Sequence, residues 1–528
     1  MLRLREYQTK AISDIRTFFG KGGNHCILQA PTGSGKTIIF SVLAKKTAEK
    51  HKKVLIMTDR DELLMQTGGA INRTGLNAFF IQAGQKYVSN DFNVYIAMSQ
   101  TLRRRIDLEY WIKFLSGIDL LIIDECHKQE FNYLFESQIF NDKYVIGFTA
   151  TPHRSGKMRQ LALDYDKIIS TISVKKLIEK GFLVNDDYYG ISSPDMSNVK
   201  IDRLQGDYKP KEMFEKFDSP KLYSGLVENY KKIAPKSKTL IFCVNIEHCI
   251  KSTILLRDAG FTANFVVSSM NKPKYPKDPE NKGQAARYNE RMRVYELYKK
   301  YYELYSGKRT DIFNDFQNNK FQILINAGIA TTGYDCPSIE TIILNRATIS
   351  VTLLLQMIGR GSRIFDKKTH FNIFDFGGNC ERLGYYSEDR NWSLWHESKD
   401  GKGLPPLKEC GFDSVGKPIE KGGCRRLILA SYKICPFCGF KYPEKKTAKV
   451  IKLYSSLYKD GEIINHKRVS DMNFDELHDY WKLKGHKIAW LWRQLWYRGK
   501  KKAIENFAKK YGWQNSTIIS AVKFCERF

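Results

Sequence analysis

The sequence predicts an α/β chain: two tandem parallel-sheet domains, a small zinc-binding segment and a C-terminal, mostly helical module. Three observations carry this. Short apolar, β-rich runs alternate with helical stretches through residues 1–185 and again after residue 220. A cysteine-bearing stretch at 410–440 breaks that rhythm. The last 88 residues hold 20 Lys+Arg against 9 Asp+Glu and five of the eight tryptophans. The divisions that follow are 1–185 and 221–384 for the sheet domains, a linker at 186–220, the zinc segment at 385–445 and the basic helical module at 446–528.

In the first domain CILQA (26–30), KVLIMT (53–58), VYIAMS (94–99), DLLIID (119–124) and YVIGFTA (144–150) read as buried parallel strands. Ligands are expected at their carboxyl ends. In the second, TLIFCV (239–244), ANFVVSS (263–269), FQILINA (321–327) and TIILN (341–345) repeat the pattern. Residues 271–309 interrupt it. They open with three prolines among lysines and continue as a Tyr- and Lys-rich helix, read as an insertion that either contacts nucleic acid or is simply solvated.

Composition narrows the class. The chain has 528 residues and a net charge of +29, from 86 Lys+Arg against 57 Asp+Glu. Such an excess favours a polyanion, most simply nucleic acid. No apolar run approaches the roughly 20 residues of a membrane span, so no membrane partner is expected. The first residues, MLRLREYQTK, lack the apolar core of a secretory signal. Eleven scattered cysteines argue for a reducing compartment, and the reading is cytoplasmic.

APTGSGKT (30–37) sits between a strand and a helical run, the context of a phosphate-binding loop. Gly33 and Gly35 let backbone amides of the loop, with Pro31, Thr32 and Ser34, turn onto phosphates. Lys36 reaches the β and γ phosphates of ATP, and Thr37 holds Mg²⁺. Ala30 occupies the usual first glycine of the pattern. LLIIDECHKQ (120–129) supplies what such a loop needs: Asp124 for Mg²⁺ and Glu125 to take a proton from the attacking water. Cys126 reads as a packing residue. A Cys126–His127 nucleophile or metal site is the alternative, and adjacency in sequence does not supply either. His127 links the ATP site to the next motif.

With these motifs in this order, residues 3–363 resemble a superfamily 2 helicase of the DEAD/DEAH type, in a DECH variant. The resemblance implies two RecA-like domains. LREYQ (4–8) is similar to the Q motif, so Arg5 and Gln8 would meet the adenine. VLIMTDRDELLMQ (54–66) and AMSQTL (97–102) resemble segments that touch the nucleic-acid backbone, through Arg60, Gln100 and Thr101. TAT (149–151) resembles the coupling motif, with Thr149 and Thr151. TLIFCVN (239–245) brings Asn245, and INAGIATTGYDCP (325–337) brings Thr331 toward nucleic acid and Gly333 and Asp335 toward the nucleotide. QMIGRGSR (356–363) brings Gln356 to the nucleotide and Arg360 and Arg363 as arginine fingers. The physics agrees: a γ-phosphate needs cationic charge in its transition state, and supplying it from a second domain makes hydrolysis depend on closure. NIFDFGGNCERLG (372–384) is similar to the segment after the last motif in RadD-like DNA repair helicases.

CPFCG (435–439) is one zinc knuckle. Cys435, Cys438, Cys424 and Cys410 are the expected Zn²⁺ ligands, with Cys380 or His396 as substitutes; a vestigial knuckle or a redox pair are the alternatives. In HKIAWLWRQLWYRGKKKAIENFAKKYGW (486–513), Trp492, Leu495 and Trp496 form an apolar stripe read as core. Arg493, Arg498, Lys500, Lys501 and Lys502 are candidates for phosphate contact.

The expected function is an ATP-dependent DNA helicase or translocase in repair, recombination or replication. Its partners are DNA, less favourably RNA, and a single-strand-binding or replication protein, with the chain itself monomeric. An RNA remodeller or the motor subunit of a restriction-type complex are the alternatives.

Overall fold

The computed structural model describes residues 4–59, 61–154, 159–202, 205–276, 278, 280–331, 334–394, 407–409, 427–429, 440–441, 463–465, 472–483 and 488–526. They fall into two compact units, residues 1–187 with 193–401, and residues 188–192 with 402–528.

The first unit holds two parallel sheets. The first runs through His25–Gln29 (β1), Val54–Thr58 (β2), Phe79–Ile81 (β3), Val94–Met98 (β4), Leu120–Asp124 (β5), Tyr144–Thr149 (β6) and Lys167–Ser170 (β7), in the order β3-β4-β2-β5-β6-β1-β7. All its pairings are parallel, so every carboxyl end opens on one edge. The apolar runs are continuous because both faces are covered. Ile27, Leu55, Met57, Tyr95, Leu121 and Ile123 enter the core on one face. Leu28, Val54, Ile56, Ile96, Leu120 and Ile122 enter the core on the other. This is the two-residue period of a strand.

Asn185–Ile191 (β8) follows, then a small antiparallel hairpin of Ile201–Asp202 (β9) and Asp207–Tyr208 (β10). Asp207 fastens the hairpin by accepting from Arg346 Nη2 at 3.0 Å, Thr348 Oγ1 at 2.9 Å and the Ile349 amide at 3.0 Å. The second sheet contains Thr239–Cys243 (β11), Ala263–Val266 (β12), Ile323–Asn326 (β13), Thr341–Asn345 (β14) and His370–Asp375 (β15). Its parallel part runs β12-β13-β11-β14-β15.

The expected strands are present, most shortened by a residue or more at their ends. Strands β3, β7, β8, β9, β10 and β15 were not expected. The expected insertion contains the helix Lys282–Tyr305, capped by Asn281, which accepts from the Gly283 amide at 3.0 Å. It packs on the helix Ile246–Asp258, with Arg257 4.3 Å over the Tyr305 ring and Arg293 paired to Glu247.

The Asp–x–x–Gly–Asn run after β15 is a structural knot. Asp375 accepts from the Gly377 and Cys380 amides at 3.1 and 2.8 Å, and Asn379 spans the Thr348 amide and the Arg346 carbonyl at 2.7 and 2.8 Å.

In the second unit, Leu407–Glu409 (β16) pairs antiparallel with Leu427–Leu429 (β17), and Ile463–Asn465 (β18) pairs with Gly190 and Ile191. Helices Phe474–Leu483, Ile488–Tyr511 and Asn515–Cys525 complete it, the middle one broken at Gly499–Lys500. The apolar stripe differs from expectation: Leu491 and Leu495 are the buried members, while Trp492 and Trp496 are half-buried around them. Arg493 lies 5.4 Å over the Phe524 ring, and Arg498 donates to the Met472 carbonyl. Both therefore serve the module's own packing, and Lys500, Lys501 and Lys502 remain exposed.

The expected zinc ligands Cys410, Cys424, Cys435 and Cys438, and the substitute His396, lie outside the described residues. The substitute Cys380 is a buried free thiol. Among the described residues no group of three or more His, Cys, Asp or Glu is placed to hold a metal ion, and no helix is long and apolar enough to cross a membrane.

Candidate active site

The loop after β1 turns through Gly33 and Gly35, at φ +83° and +81°. A side chain is strained in that region. Gly35 leads into the helix Lys36–Ala48, whose free N-terminal amides favour an anion. Ser34 is fully buried and its hydroxyl donates to the Pro31 carbonyl at 2.7 Å. Its own carbonyl accepts from Tyr7 Oη at 2.7 Å and Gln8 Nε2 at 3.0 Å. Gln8 Oε1 accepts from the Arg5 amide at 2.9 Å. Both ends of the Gln8 amide thus bond to protein, and it braces the phosphate loop. The Arg5 guanidinium lies 3.7 Å over the Phe182 ring.

β5 ends at buried Asp124, and Glu125 follows in a left-handed conformation at φ +51°. That turn aims Glu125 at the loop. Lys36 Nζ stands 3.3 Å from Glu125 Oε1. On the other oxygen, Thr149 Oγ1 is at 3.5 Å and His127 Nδ1 at 3.4 Å. His127 and Thr149 are themselves 2.9 Å apart, and the Thr151 amide donates to Thr149 Oγ1 at 3.0 Å. Lys36, Glu125, His127, Thr149 and Thr151 therefore form one connected group across the ends of three strands.

Burial, with the Glu125 charge added, pushes the Asp124 carboxyl up to about 7 against the pull of Lys36. Burial pushes Glu125 the same way, but Lys36, His127 and Lys128 outweigh it and hold that carboxyl at about 2. Burial pulls His127 down to about 4, so its imidazole is neutral at pH 7, and its Nδ1 is hydrogen-bonded to the Thr149 hydroxyl. Thr37 is half-buried on the first helical turn. A hydroxyl and a carboxylate completed by nucleotide oxygens suit a hard cation such as Mg²⁺.

Cys126 fits neither nucleophile nor ligand. It is fully buried, and burial pushes its thiol far up. A Cβ on Gly147 of β6 would lie 2.6 Å from its sulfur, so the side chain fills the notch that this glycine leaves. Sequence reasoning missed what holds the loop. Arg154, buried, donates to the carbonyls of His127 at 2.8 Å and Cys126 at 3.2 Å, and pairs with Asp164. Its signal was the TPHR that follows TAT.

The second sheet brings its own residues to the same place. A Cβ on Gly359 would lie 3.0 Å from the Thr32 side chain, so QMIGRGSR packs directly on the phosphate loop. Gln356 is buried, with its Nε2 lacking a hydrogen-bond partner among the described residues. Arg360 is turned back on its own domain, donating to the Thr331 carbonyl at 2.6 and 3.1 Å and to the Tyr334 carbonyl at 2.6 Å. Arg363 pairs with Asp335. Behind them, Lys368 Nζ donates to the carbonyls of Pro337 at 3.1 Å, Gly361 at 2.6 Å and Ile339. It ties the segment after Thr331 to the arginine loop and was not anticipated.

The residues expected on nucleic acid are less uniform. Gln100 is exposed and Thr101 half-buried, on the short helix that follows β4. Asn245 caps the helix Ile246–Asp258, accepting from the His248 amide at 2.8 Å. Thr331 is buried, its hydroxyl donating to Gly328 at 2.6 Å. Arg60 and Gly333 lie outside the described residues.

A family model described as "Type III restriction enzyme, res subunit" matches residues 1–154, and one described as "Helicase conserved C-terminal domain" matches residues 282–365. The Saccharomyces cerevisiae protein IRC3, named as a candidate ATP-dependent helicase, is 28% identical over 397 residues, 71% of this chain and 51% of its own. A 51.5 kDa protein of a Lactococcus phage is 24% identical over 519 residues, 95% of this chain and 99% of its own. The endonuclease subunit of the Escherichia coli type I restriction enzyme EcoAI is 24% identical over 401 residues, 70% and 46%. In fold, the chain is similar to a fragment of a candidate HsdR subunit of a type I restriction enzyme from Vibrio vulnificus, with TM-score 0.51, 21% identity and coverage of 73% and 65%. The chain thus spans about half the length of the yeast and E. coli relatives. What the matches carry is a superfamily 2 helicase module, the module of ATP-dependent nucleic-acid enzymes. They do not bring out the narrower likeness to RadD-like repair helicases, and the Asp375–Asn379 knot explains why that run was a weak guide: it serves the fold.

Proposed function

We propose that this chain, with its superfamily 2 module, is an ATP-driven motor that moves along DNA as the motor part of a restriction-type complex. This is preferred to the DNA repair role that the sequence first suggested. The observation that carries it is the packing of Gly359 on Thr32 with the Lys36–Glu125 pair behind it, since that joins both sheets at one phosphate loop. The match of residues 1–154 to a restriction-enzyme res subunit, and the likeness to a type I endonuclease subunit, favour the restriction-type setting.

In this reading residues 1–185 and 221–384 are the two motor domains. Lys36 holds the β and γ phosphates, and the backbone amides of residues 32–37 cradle them, with Pro31 shaping the start of the loop. Thr37 and Asp124 would hold Mg²⁺, which when bound would supply positive charge against the phosphates. Glu125, ionised and oriented by Lys36 and Thr149, accepts the proton of the attacking water. Arg360 and Arg363 leave their acceptors to meet the γ-phosphate, assisted by Gln356, and Asp335 is released with them. His127, Thr149 and Thr151 pass the state of Glu125 to the second sheet. Arg60, Gln100 and Thr101 grip the DNA backbone, with Asn245 and Thr331 positioning the loops beside it. Zn²⁺ on Cys410, Cys424, Cys435 and Cys438 stays a proposal on which no step depends.

The test is displacement of a third strand from a DNA triplex. A duplex motor displaces it in an ATP-dependent manner and leaves a forked duplex annealed. Separation of the fork would return the reading to a repair- or replication-type helicase.

A further inference from the structure

The Gln8 amide is held at both ends by protein, to the Arg5 amide and the Ser34 carbonyl, which leaves one N–H and one lone pair for a base. Beside the phosphate loop lies a cavity of about 610 Å³, well within the range of small-ligand pockets. Tyr7, Pro31 and Thr32 line one side, and Tyr386, Arg390 and Trp392 line the other.

The second group belongs to a short strap. It begins after Gly384, where the Tyr385 amide donates to Glu388 Oε2 at 3.0 Å. Arg390 shapes it by donating to the Leu383 and Tyr385 carbonyls at 2.8 and 3.0 Å. Buried Tyr386 shares a 2.9 Å hydrogen bond with Ser362, between the two arginines of the second sheet. At its far end the Leu394 carbonyl accepts from the Ala162 amide at 3.2 Å, and the Leu394 side chain packs against the core of the first sheet. The strap therefore crosses from one sheet domain to the other along the edge of the cavity.

We propose that residues 385–394 form the base-binding wall of the nucleotide pocket, with Trp392 the face against which a purine packs. This rests on the ATP-motor reading. An aromatic face holds a base through its π surface and is indifferent to the phosphates. Tyr386 gives the same wall a direct link to the arginine loop.

The experiment uses the full chain. Michaelis constants for ATP are measured for the wild type, Trp392→Ala and Trp392→Phe, with inorganic tripolyphosphate as a competitor that has no base. Trp392→Ala is expected to raise KM for ATP about tenfold, with most of the effect in KM and not in kcat. Trp392→Phe is expected to restore most of it, and the tripolyphosphate inhibition constant to stay put. An unchanged KM, or a tripolyphosphate constant that shifts as far as KM, overturns the proposal. So does a lowered melting temperature with a lowered kcat at constant KM, which would make the strap a purely structural tie. If the wild type does not hydrolyse ATP, the motor reading fails by itself. Equilibrium binding of ATP to the same three proteins then tests the wall alone.

Discussion

The two sheet domains meet at one phosphate loop but are prepared to different degrees. On the first sheet the groups already face one another: Lys36 touches Glu125, Glu125 touches Thr149 and His127, and Arg154 clamps the loop between them. On the second sheet the cations are occupied at home. Arg360 is held by the Thr331 and Tyr334 carbonyls and Arg363 by Asp335. The first half is set, and the second is latched. In the proposed motor such a difference would make hydrolysis conditional, because the charge that stabilises the transition state would arrive only when the latch opens. A motor needs that condition, since turnover without movement is wasted.

The comparison breaks most sharply at the latched arginines. Arg360→Ala or Arg363→Ala is expected to lower kcat about 10³-fold or more while ATP binding is retained, measured by steady-state hydrolysis beside equilibrium binding. A loss in binding equal to the loss in kcat would mean that the arginines hold the ground state and that no latch exists. On the preset side, Glu125→Gln is expected to cost about 10²- to 10⁴-fold in kcat. Its melting temperature should stay near the wild-type value, because the neutral amide keeps the shape of the site.

Lys368 sharpens the contrast, because it holds the latched half in place without touching the nucleotide site. Lys368→Met is expected to lower kcat about tenfold or more with little change in KM, the signature of misplaced arginines. Its charge also carries a pH signature. Burial pulls the ammonium down from 10.5 to about 8; Glu340 and Cys336 oppose this, and Arg363 adds to it. Between those two values the unfolded chain keeps the proton that the folded chain has released. Stability from this group therefore rises with pH across that window. The neutral amine, however, can no longer serve all three carbonyls at full strength. Activity is thus expected to fall as pH rises through about 8, without a matching loss of melting temperature, and the Lys368→Met variant should lack that limb. The smallest effect belongs to Cys126. Cys126→Ala is expected to cost about 1 kcal/mol of stability by emptying the Gly147 notch, and to leave ATP turnover within about twofold. A dead Cys126→Ala enzyme of normal stability would restore the nucleophile reading.

The same contrast describes what the sequence made legible. The first sheet announced itself through continuous apolar runs, and β1, β2, β4, β5 and β6 end within a residue of where the pattern put them. The places of the phosphate loop, Asp124 and Glu125 were legible because a strand–loop–helix context fixes where such residues stand. The short strands Phe79–Ile81 and Lys167–Ser170 were missed because three or four residues carry no readable period. His370–Asp375 was missed although Phe371, Ile373 and Phe374 are buried, because its residues were read only as part of a motif. Contacts between distant residues were invisible: Gln8 on the Ser34 carbonyl, Cys126 in the notch of Gly147, Arg360 on the Thr331 carbonyl and Lys368 on three carbonyls at once. Each depends on which backbone oxygen the fold brings near, and side-chain type alone does not specify that.

The most direct measurement is ATP hydrolysis by the full chain, alone and with duplex DNA, single-stranded DNA and RNA. A preset first sheet and a latched second sheet predict a low rate without nucleic acid, strong stimulation by DNA and little by RNA. A rate that is already high alone and indifferent to DNA would contradict the latch and, with it, the reading of this chain as a DNA motor.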